Sequence, residues 1–111
     1  MNAPSIGRIV HYKLSADNEQ AINRRRTTGN AIADRIAEEK WPLGAQAHIG
    51  NTAREGDVVP LMIVRVWPDE YGVGVPGVNG QAFLDGNDAL WVTSAREGDG
   101  PGQWSWPPRV G

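Results

Sequence analysis

The sequence has no cysteine, a single phenylalanine and two tyrosines among its 111 residues. Without cysteine there can be no disulfide, thiolate nucleophile or cysteine-based metal site, and the chain is compatible with a reducing compartment. A net charge of −2 excludes the global positive field of proteins that coat nucleic acid. The longest strongly apolar run, Val58 to Val64, is interrupted by Pro60 and is too short to span a bilayer. Residues 1–4 have neither a basic start nor an apolar run, so we expect no signal peptide.

The length predicts one domain, spanning residues 1–111. A chain of this size buries somewhat over ~60% of the surface that its unfolded form exposes. That burial is enough for a core but not for a deep, enclosed active site. We therefore expect a homo-oligomer, because subunit boundaries provide both additional burial and pockets.

Tryptophan is unusually abundant, with five residues in the chain. Trp104 and Trp106 lie in a Gly/Pro-rich tail just before Pro107, and in an extended segment their rings face the same way. An indole ring with its polar N–H edge suits a protein interface or a ligand platform. It equally suits the end of a small β-rich core, and the sequence leaves both interpretations open.

The first strand is predicted over Ile6–Leu14, where β-branched and aromatic residues are concentrated. A helix follows, capped by either Ser15 or Asp17, and Asp17 with Gln20 fits a capping box. We expect this helix to run to about Lys40 with a kink or break over residues 27–30, which are poor helix formers. Its apolar stripe is Ile22, Gly29, Ile32, Ala33, Ile36 and Ala37.

Short apolar runs between turn signals predict four more strands, at Gly44–Asn51, Asp57–Trp67, Gln81–Leu84 and Ala89–Thr93. Pro60 predicts an edge or a bulge near the start of the strongest of them. The turn Asp85–Asp88 predicts a hairpin, in which Asp85 and Asn87 bond nearby backbone N–H groups. A Gly/Pro-rich loop is expected over residues 68–79. The predicted fold is α+β: a small, bent antiparallel sheet or partly open barrel with one helical excursion, kinked or broken, after the first strand.

The basic triplet Arg24–Arg26 is the first candidate for binding chemistry. Most such triplets are solvated, but Arg25 lies three residues after Ile22 and so falls on the apolar stripe. A buried arginine needs a partner. Arg25 is therefore either paired with a carboxylate such as Asp85 or Asp88, or faces a cleft that accepts a phosphate or carboxylate.

The other motifs give weaker signals. His11 and His48 lack both a third ligand and the spacing of a zinc helix, and no residue is placed to orient either as a base. Residues 84–88 lack the spaced acidic ligands of a calcium loop. Residues 72–77 are rich in glycine but lack the lysine of a phosphate loop, and they suit a mobile surface loop instead. We expect no metal, no cofactor and no catalytic activity.

Several segments together resemble a group of small phage and prophage proteins of unassigned function. They are Ile9–Tyr12, Ile22–Arg26, Ala47–Asn51, Leu84–Asp88 and Gly102–Val110. The resemblance covers most of the chain, and the tail Gly-x-Trp-x-Trp-Pro-x-Arg-Val is its most specific part. It implies a small accessory protein in the cytoplasm of an infected bacterium.

In that context the leading hypothesis is a phage-encoded, non-enzymatic protein that sequesters a nucleotide-derived immune signal and so counteracts anti-phage defence. The signal would be a cyclic ADP-ribose isomer or a cyclic dinucleotide, held by stacking on tryptophan and by arginine on phosphate. This hypothesis predicts that the tryptophans and Arg25 converge on one concave pocket between subunits. The expected ligand-binding residues are Arg25, Arg24, His11, Tyr12, Asn51, Asp88, Trp91, Trp104 and Trp106.

The alternative is an accessory or virion protein that binds a host or phage protein through its Trp-rich tail. It predicts that Trp104 and Trp106 are exposed and coplanar. A small hydrolase using His11 or His48 is a weaker hypothesis, and sequence-specific DNA binding weaker still, because the basic residues form no stripe on a recognition helix. We expect neither a nucleic-acid nor a membrane partner.

Overall fold

One helix and five strands make up the part of the chain that the structure, a computed structural model, describes: residues 3–26, 49–68 and 76–108. In chain order they are β1 (Ile9–Lys13), α1 (Ala16–Arg25), β2 (Val58–Trp67), β3 (Gly77–Phe83), β4 (Ala89–Arg96) and β5 (Trp104–Ser105). The helix is neither long nor apolar enough to cross a membrane.

The five strands form one antiparallel sheet in the order β4-β3-β2-β1-β5. The sheet curls into a half-barrel, and a bridge between Glu97 and Trp104 joins its two edges at one end. There the Gly98 N–H donates to the Trp104 carbonyl at 2.9 Å. The predicted α+β fold, with a bent antiparallel sheet and a helix after the first strand, is confirmed.

Two bulges on either side of β3 produce the bend. One bulge lies in β2, where the pairing with β3 shifts between Ile63 and Arg65. The other lies in β4, between the residues that pair with Val78 and Gly80 of β3. An extra residue in one strand increases the local twist and bends the strand. The bulge predicted near Pro60 is displaced to Ile63, but Pro60 does lie just outside the pairing with β3, which begins at Leu61.

A buried asparagine stabilises the β4 bulge. The Asn79 Oδ1 accepts hydrogen bonds from the Ser94 N–H at 2.8 Å and from the Trp67 Nε1 at 2.9 Å. Ser94 has a φ of 53°, in the left-handed region that non-glycine residues seldom adopt. Since an unpaired N–H at this site would be costly, the asparagine oxygen offsets the ladder bond that the bulge breaks.

The core lies on the concave face of the sheet. It is closed by the helix through Ile22 and by the tail through Trp104, both with no exposed surface. The core residues are Val10, Tyr12, Leu14, Ile22, Ala53, Val59, Leu61, Ile63, Val78, Ala82, Leu84, Val92, Ala95 and Trp104.

Ser15, one of the two predicted caps, is the N-cap of the helix, whose first residue is Ala16. The Ser15 Oγ accepts from the Asn18 N–H at 3.1 Å, and the Asn18 Oδ1 accepts from the Ser15 N–H at 2.9 Å. The capping box predicted from Asp17 and Gln20 is therefore wrong, because the helix starts two residues earlier and Asp17 lies in its first turn. The helix ends at Arg25. Its predicted kink and its continuation to Lys40 lie outside the described residues.

Strand bounds differ most in β3, which begins at Gly77 although a loop is predicted to continue to Asn79. Glycines at 77 and 80 have low strand propensity, but pairing with the neighbouring strands places both in the sheet. At Gly80 the absence of a side chain also lets the neighbouring strand approach closely. An added Cβ at Gly80 would overlap the Met62 carbonyl oxygen. β4 extends to Arg96, beyond the predicted Thr93. Most of the predicted strand Gly44–Asn51 lies outside the described residues.

Candidate functional site

The C-terminal end of α1 carries a pair of arginines to the β3–β4 hairpin. Basic residues are favoured in a last helical turn because they face the negative end of the helix dipole. Arg26 caps the helix in an extended conformation, which turns it toward residues 49–53 and the hairpin. We call the resulting group the arginine–aspartate cluster, consisting of Arg25, Arg26, Asn51, Asp85 and Asp88.

Asp88 is the electrostatic centre of the cluster. Its Oδ2 lies 3.2 Å from the Arg25 Nη2, and its Oδ1 lies 3.0 Å from the Arg26 Nη2. The Asp88 side chain is 2% exposed, that of Arg26 10% and that of Arg25 32%. A carboxylate this buried must be paired. Of the alternatives for Arg25, the structure shows the ion pair, with Asp88 as partner. Arg25 also donates to the Ala89 carbonyl at 2.8 Å.

Arg26 joins three chain segments. Its Nη1 donates to the Asn51 carbonyl at 3.0 Å and to the Asp85 carbonyl at 3.3 Å. The guanidinium lies against Gly50 and Gly86, which pair with each other in a single bridge. An added Cβ at Gly50 would overlap the Arg26 guanidinium and the Asp85 carbonyl, so the cluster requires glycine there.

We expect Gly50→Ala to lower the free energy of unfolding by about 1–3 kcal/mol, the usual cost of overpacking. The guanidinium can move aside, but the Asp85 carbonyl belongs to the backbone and must shift with the hairpin. Urea denaturation followed by far-ultraviolet circular dichroism measures the loss. Gly77→Ala is the matched control, because its Cβ would lie 3.5 Å from the Ser94 Cα, an ordinary contact. Equal denaturation midpoints for the two variants would contradict the packing described here.

Polar side chains tie residues 49–51 to the hairpin. The Asn51 Nδ2 donates to the Asp85 Oδ2 at 2.8 Å, and the Ile49 N–H donates to the Asn87 Oδ1 at 2.9 Å. These bonds differ from the predicted local ones: the donor to Asn87 is a backbone N–H 38 residues away, and the donor to Asp85 is a side-chain amide 34 residues away. A distant segment lies against the turn and supplies the donors, which local sequence reasoning does not register.

A small cavity adjoins the cluster. It has a volume of about 50 Å³, and the residues lining it include Leu14, Arg26, Asn51, Ala53 and Asp85. This is room for a few water molecules, whereas sites for drug-sized ligands enclose roughly 300–1,000 Å³. Beside it, the Nε atoms of Arg25 and Arg26 are buried and have no hydrogen-bond partner within the described part of the chain. The cluster therefore contains two buried guanidinium N–H groups that no described residue accepts.

The remaining predicted site residues do not join the cluster. Arg24 is exposed on the helix. Tyr12 is buried in the core, where its hydroxyl donates to the Asn18 Oδ1 at 2.7 Å, and burial raises the pKa of its phenol above the ordinary value of 10.0. His11 and Trp91 point to the opposite, outer side of the sheet, because side chains alternate along a strand.

The tryptophan tail fits the second of its two interpretations, the end of a β-rich core, and not an exposed platform. Trp104 is completely buried and Trp106 is half-buried against the core, so the prediction that both are exposed is wrong. Their rings are 5.5 Å apart at 88°, edge to face rather than coplanar. The reason is pairing: Trp104 lies opposite Tyr12 in the sheet, and Trp106 follows the end of β5. The Arg8 guanidinium lies 4.9 Å from the centre of the Trp106 ring.

Sequence reasoning missed Arg26 and its two glycines. The poor helix formers at 27–30 carried part of the signal, because a helix that ends before them places Arg26 where basic side chains reach neighbouring carbonyls. The contact of Gly50 with Gly86 has no local signal, because it joins segments that are distant in the sequence.

Comparisons with protein families, curated proteins and solved structures give no significant match to this chain. The function therefore has to be argued from the site. In the described ranges, no three His, Asp or Glu side chains come together as a metal site would require. What the cluster offers at the surface is the partly exposed guanidinium of Arg25 and the exposed amide of Asn51.

Proposed function

We propose that this protein is a non-enzymatic binding protein that captures a nucleotide-derived anion through the arginine–aspartate cluster. The anion would be a cyclic ADP-ribose isomer or a cyclic dinucleotide. The observation that carries the proposal is the excess of donors: two guanidiniums share one buried carboxylate, and both Nε atoms are without a partner among the described residues. The resemblance of the sequence to phage accessory proteins supports the further proposal that the protein acts in the cytoplasm of an infected bacterium, as a countermeasure to a nucleotide immune signal.

Arg25 is the residue that meets the ligand. It is the more exposed of the two arginines, and its planar fork suits the paired oxygens of a phosphate. Asp88 and the Ala89 carbonyl hold it in place, so little ordering is required when the anion binds. Asn51 adds an amide at the mouth of the cavity for hydroxyl groups of the ligand.

The size of the cavity limits how much of the ligand it can hold. At about 50 Å³ it admits an anionic group and not a whole nucleotide. The rest of the ligand therefore lies outside this cavity. Trp104 and Trp106 are part of the core, so the base-stacking platform first expected from them does not belong to the proposal, nor does a protein-binding role for the tail.

Native mass spectrometry with a panel of cyclic nucleotides and ADP-ribose derivatives tests the proposed function. A stoichiometric adduct of unchanged ligand mass is expected. An adduct of altered mass would show that the protein is an enzyme, and no adduct across the panel would overturn the proposal.

We expect Arg25→Ala to lower the affinity for the captured ligand at least tenfold, because a hydrogen bond to a charged group contributes about 1.5–3 kcal/mol. Arg24→Ala is the matched control: it removes the same charge from the neighbouring, exposed position and should leave the affinity unchanged. Isothermal titration calorimetry measures both, with denaturation curves to confirm that each variant is folded. Equal losses would mean that only general charge attracts the ligand.

A further inference from the structure

Two neighbouring rows of side chains on the outer side of the sheet are mostly apolar, where a solvated face would be polar. Side chains of Ile9, Met62, Gln81 and Trp91 form a continuous row across β1, β2, β3 and β4, each directly opposite the next. Of these, Ile9 and Trp91 are each 50% exposed. A sheet with one buried face ordinarily alternates apolar and polar residues, with the polar ones toward water.

A second row runs beside the first, from His11 through Pro60 and Phe83 to Ala89. Pro60, Phe83 and Ala89 are exposed. Pro60 and Phe83 are neighbours because each is the next residue beyond the pair formed by Leu61 and Ala82. We call the two rows together the outer face. Methionine and aromatic residues are the types enriched at protein interfaces, and this face presents both.

We propose that the outer face binds a second copy of this chain in a two-fold symmetric dimer. In such a dimer the same patch is used on both subunits, so residues near the axis meet their own copies and a charge there would repel itself. Neither row contains an Asp, Glu, Lys or Arg, whereas charged residues make up 22% of the chain. A different partner protein would impose no such condition, since its charges could complement those of this chain.

The dimensions of the face fit the centre of a dimer interface. Four strands about 4.8 Å apart and roughly five residues of about 3.3 Å each give about 300 Å². The largest apolar patch on a typical monomer measures about 300–600 Å² and is often functional. A stable dimer buries about 800 Å² on each partner. Val58 and Val64, both exposed on the outer side of β2, and the more polar ends of the strands supply the surrounding rim.

The first row shares no residue with the arginine–aspartate cluster, whereas the second row touches it at Ala89, whose carbonyl accepts from Arg25. The test of the interface therefore uses the first row. Gln81→Glu is the most direct test. It places a charge at an exposed position in the middle of the first row, where the isolated subunit tolerates it and a symmetric dimer would bury two of them. Gln20→Glu makes the same change on the exposed surface of α1 and is the matched control.

Sedimentation velocity over a dilution series measures the assembly of the full chain. We expect the unmodified protein and Gln20→Glu to be dimers with the same dissociation constant, and Gln81→Glu to dissociate at least about tenfold more readily, since a buried unpaired charge costs well over 1.4 kcal/mol. A protein that is monomeric at all concentrations, or a Gln81→Glu variant that associates as tightly as the control, would overturn the inference. Ligand capture by Arg25 is measured separately, so the two proposals can fail independently.

Discussion

Replacing Asp88 with alanine should remove about 3–5 kcal/mol from the free energy of unfolding, the usual cost of deleting one member of a buried ion pair. The Arg26 side chain is nine-tenths buried, and in the variant it would keep its charge but lose the carboxylate 3.0 Å away. Arg25 is exposed enough to find water, so most of the loss arises from Arg26. Since the free energy of unfolding of a domain of this size is about 5–15 kcal/mol, the loss is a large fraction of the total.

Urea denaturation measures this loss, with Asp85→Ala as the control. Asp85 lies in the same turn and its carboxylate is also hydrogen-bonded, but it is exposed and its partner is the neutral amide of Asn51. Its removal should cost about 0.5–1.5 kcal/mol. Similar costs for the two variants would show that Asp88 is not the electrostatic centre of the cluster.

Trp104→Ala should be as damaging, at about 3–5 kcal/mol, the range for removing a large aromatic side chain from a core. Trp104 has no exposed surface and packs edge to face against Trp106. It also closes the half-barrel, because its backbone is bonded both to β1 and to the residues after β4. The cavity left by its removal would lie where the two sheet edges meet.

Two further variants make this prediction specific. Trp104→Phe should cost much less than Trp104→Ala: the indole Nε1 is buried with no hydrogen-bond partner in the described structure, so only volume is lost. Trp91→Ala, measured in dilute solution to favour single subunits, should cost less again because that ring is half exposed. If Trp91→Ala destabilises the subunit as strongly as Trp104→Ala, the assignment of Trp104 to the core is wrong.

Much of the fold can be predicted from local pattern. The alternation along β2, the turn at Asp85–Asp88 and the polar residues before α1 each carry a periodicity or a turn signal that acts over a few residues. The start of β3 could not be predicted in this way. Gly77 and Gly80 have low strand propensity, and only the bulged partners on either side place them in the sheet.

The candidate site was predictable only in part. The position of Arg25 on the apolar stripe indicates that it needs a partner, and Asp88 is one of the two carboxylates in the turn that could supply it. Arg26 gives no such indication. Its partners include Asn51 and Asp88, which lie 25 and 62 residues away from it in the sequence. The tryptophans show the reverse: their abundance suggests a surface platform, yet sheet pairing buries Trp104.

The sequence by itself determines the fold class, the helix after the first strand, the hairpin and the demand of Arg25 for an opposite charge. These features depend on periodicity, capping and the cost of burying a charge, all of which act locally. Only the tertiary structure decides that Arg26 and Asp88 form the centre of the cluster, that Trp104 closes the core and that Trp91 lies on an uncharged outer face. Those outcomes depend on register and on contacts between segments far apart in the chain, where a shift of one residue exchanges the buried face of a strand for the exposed one.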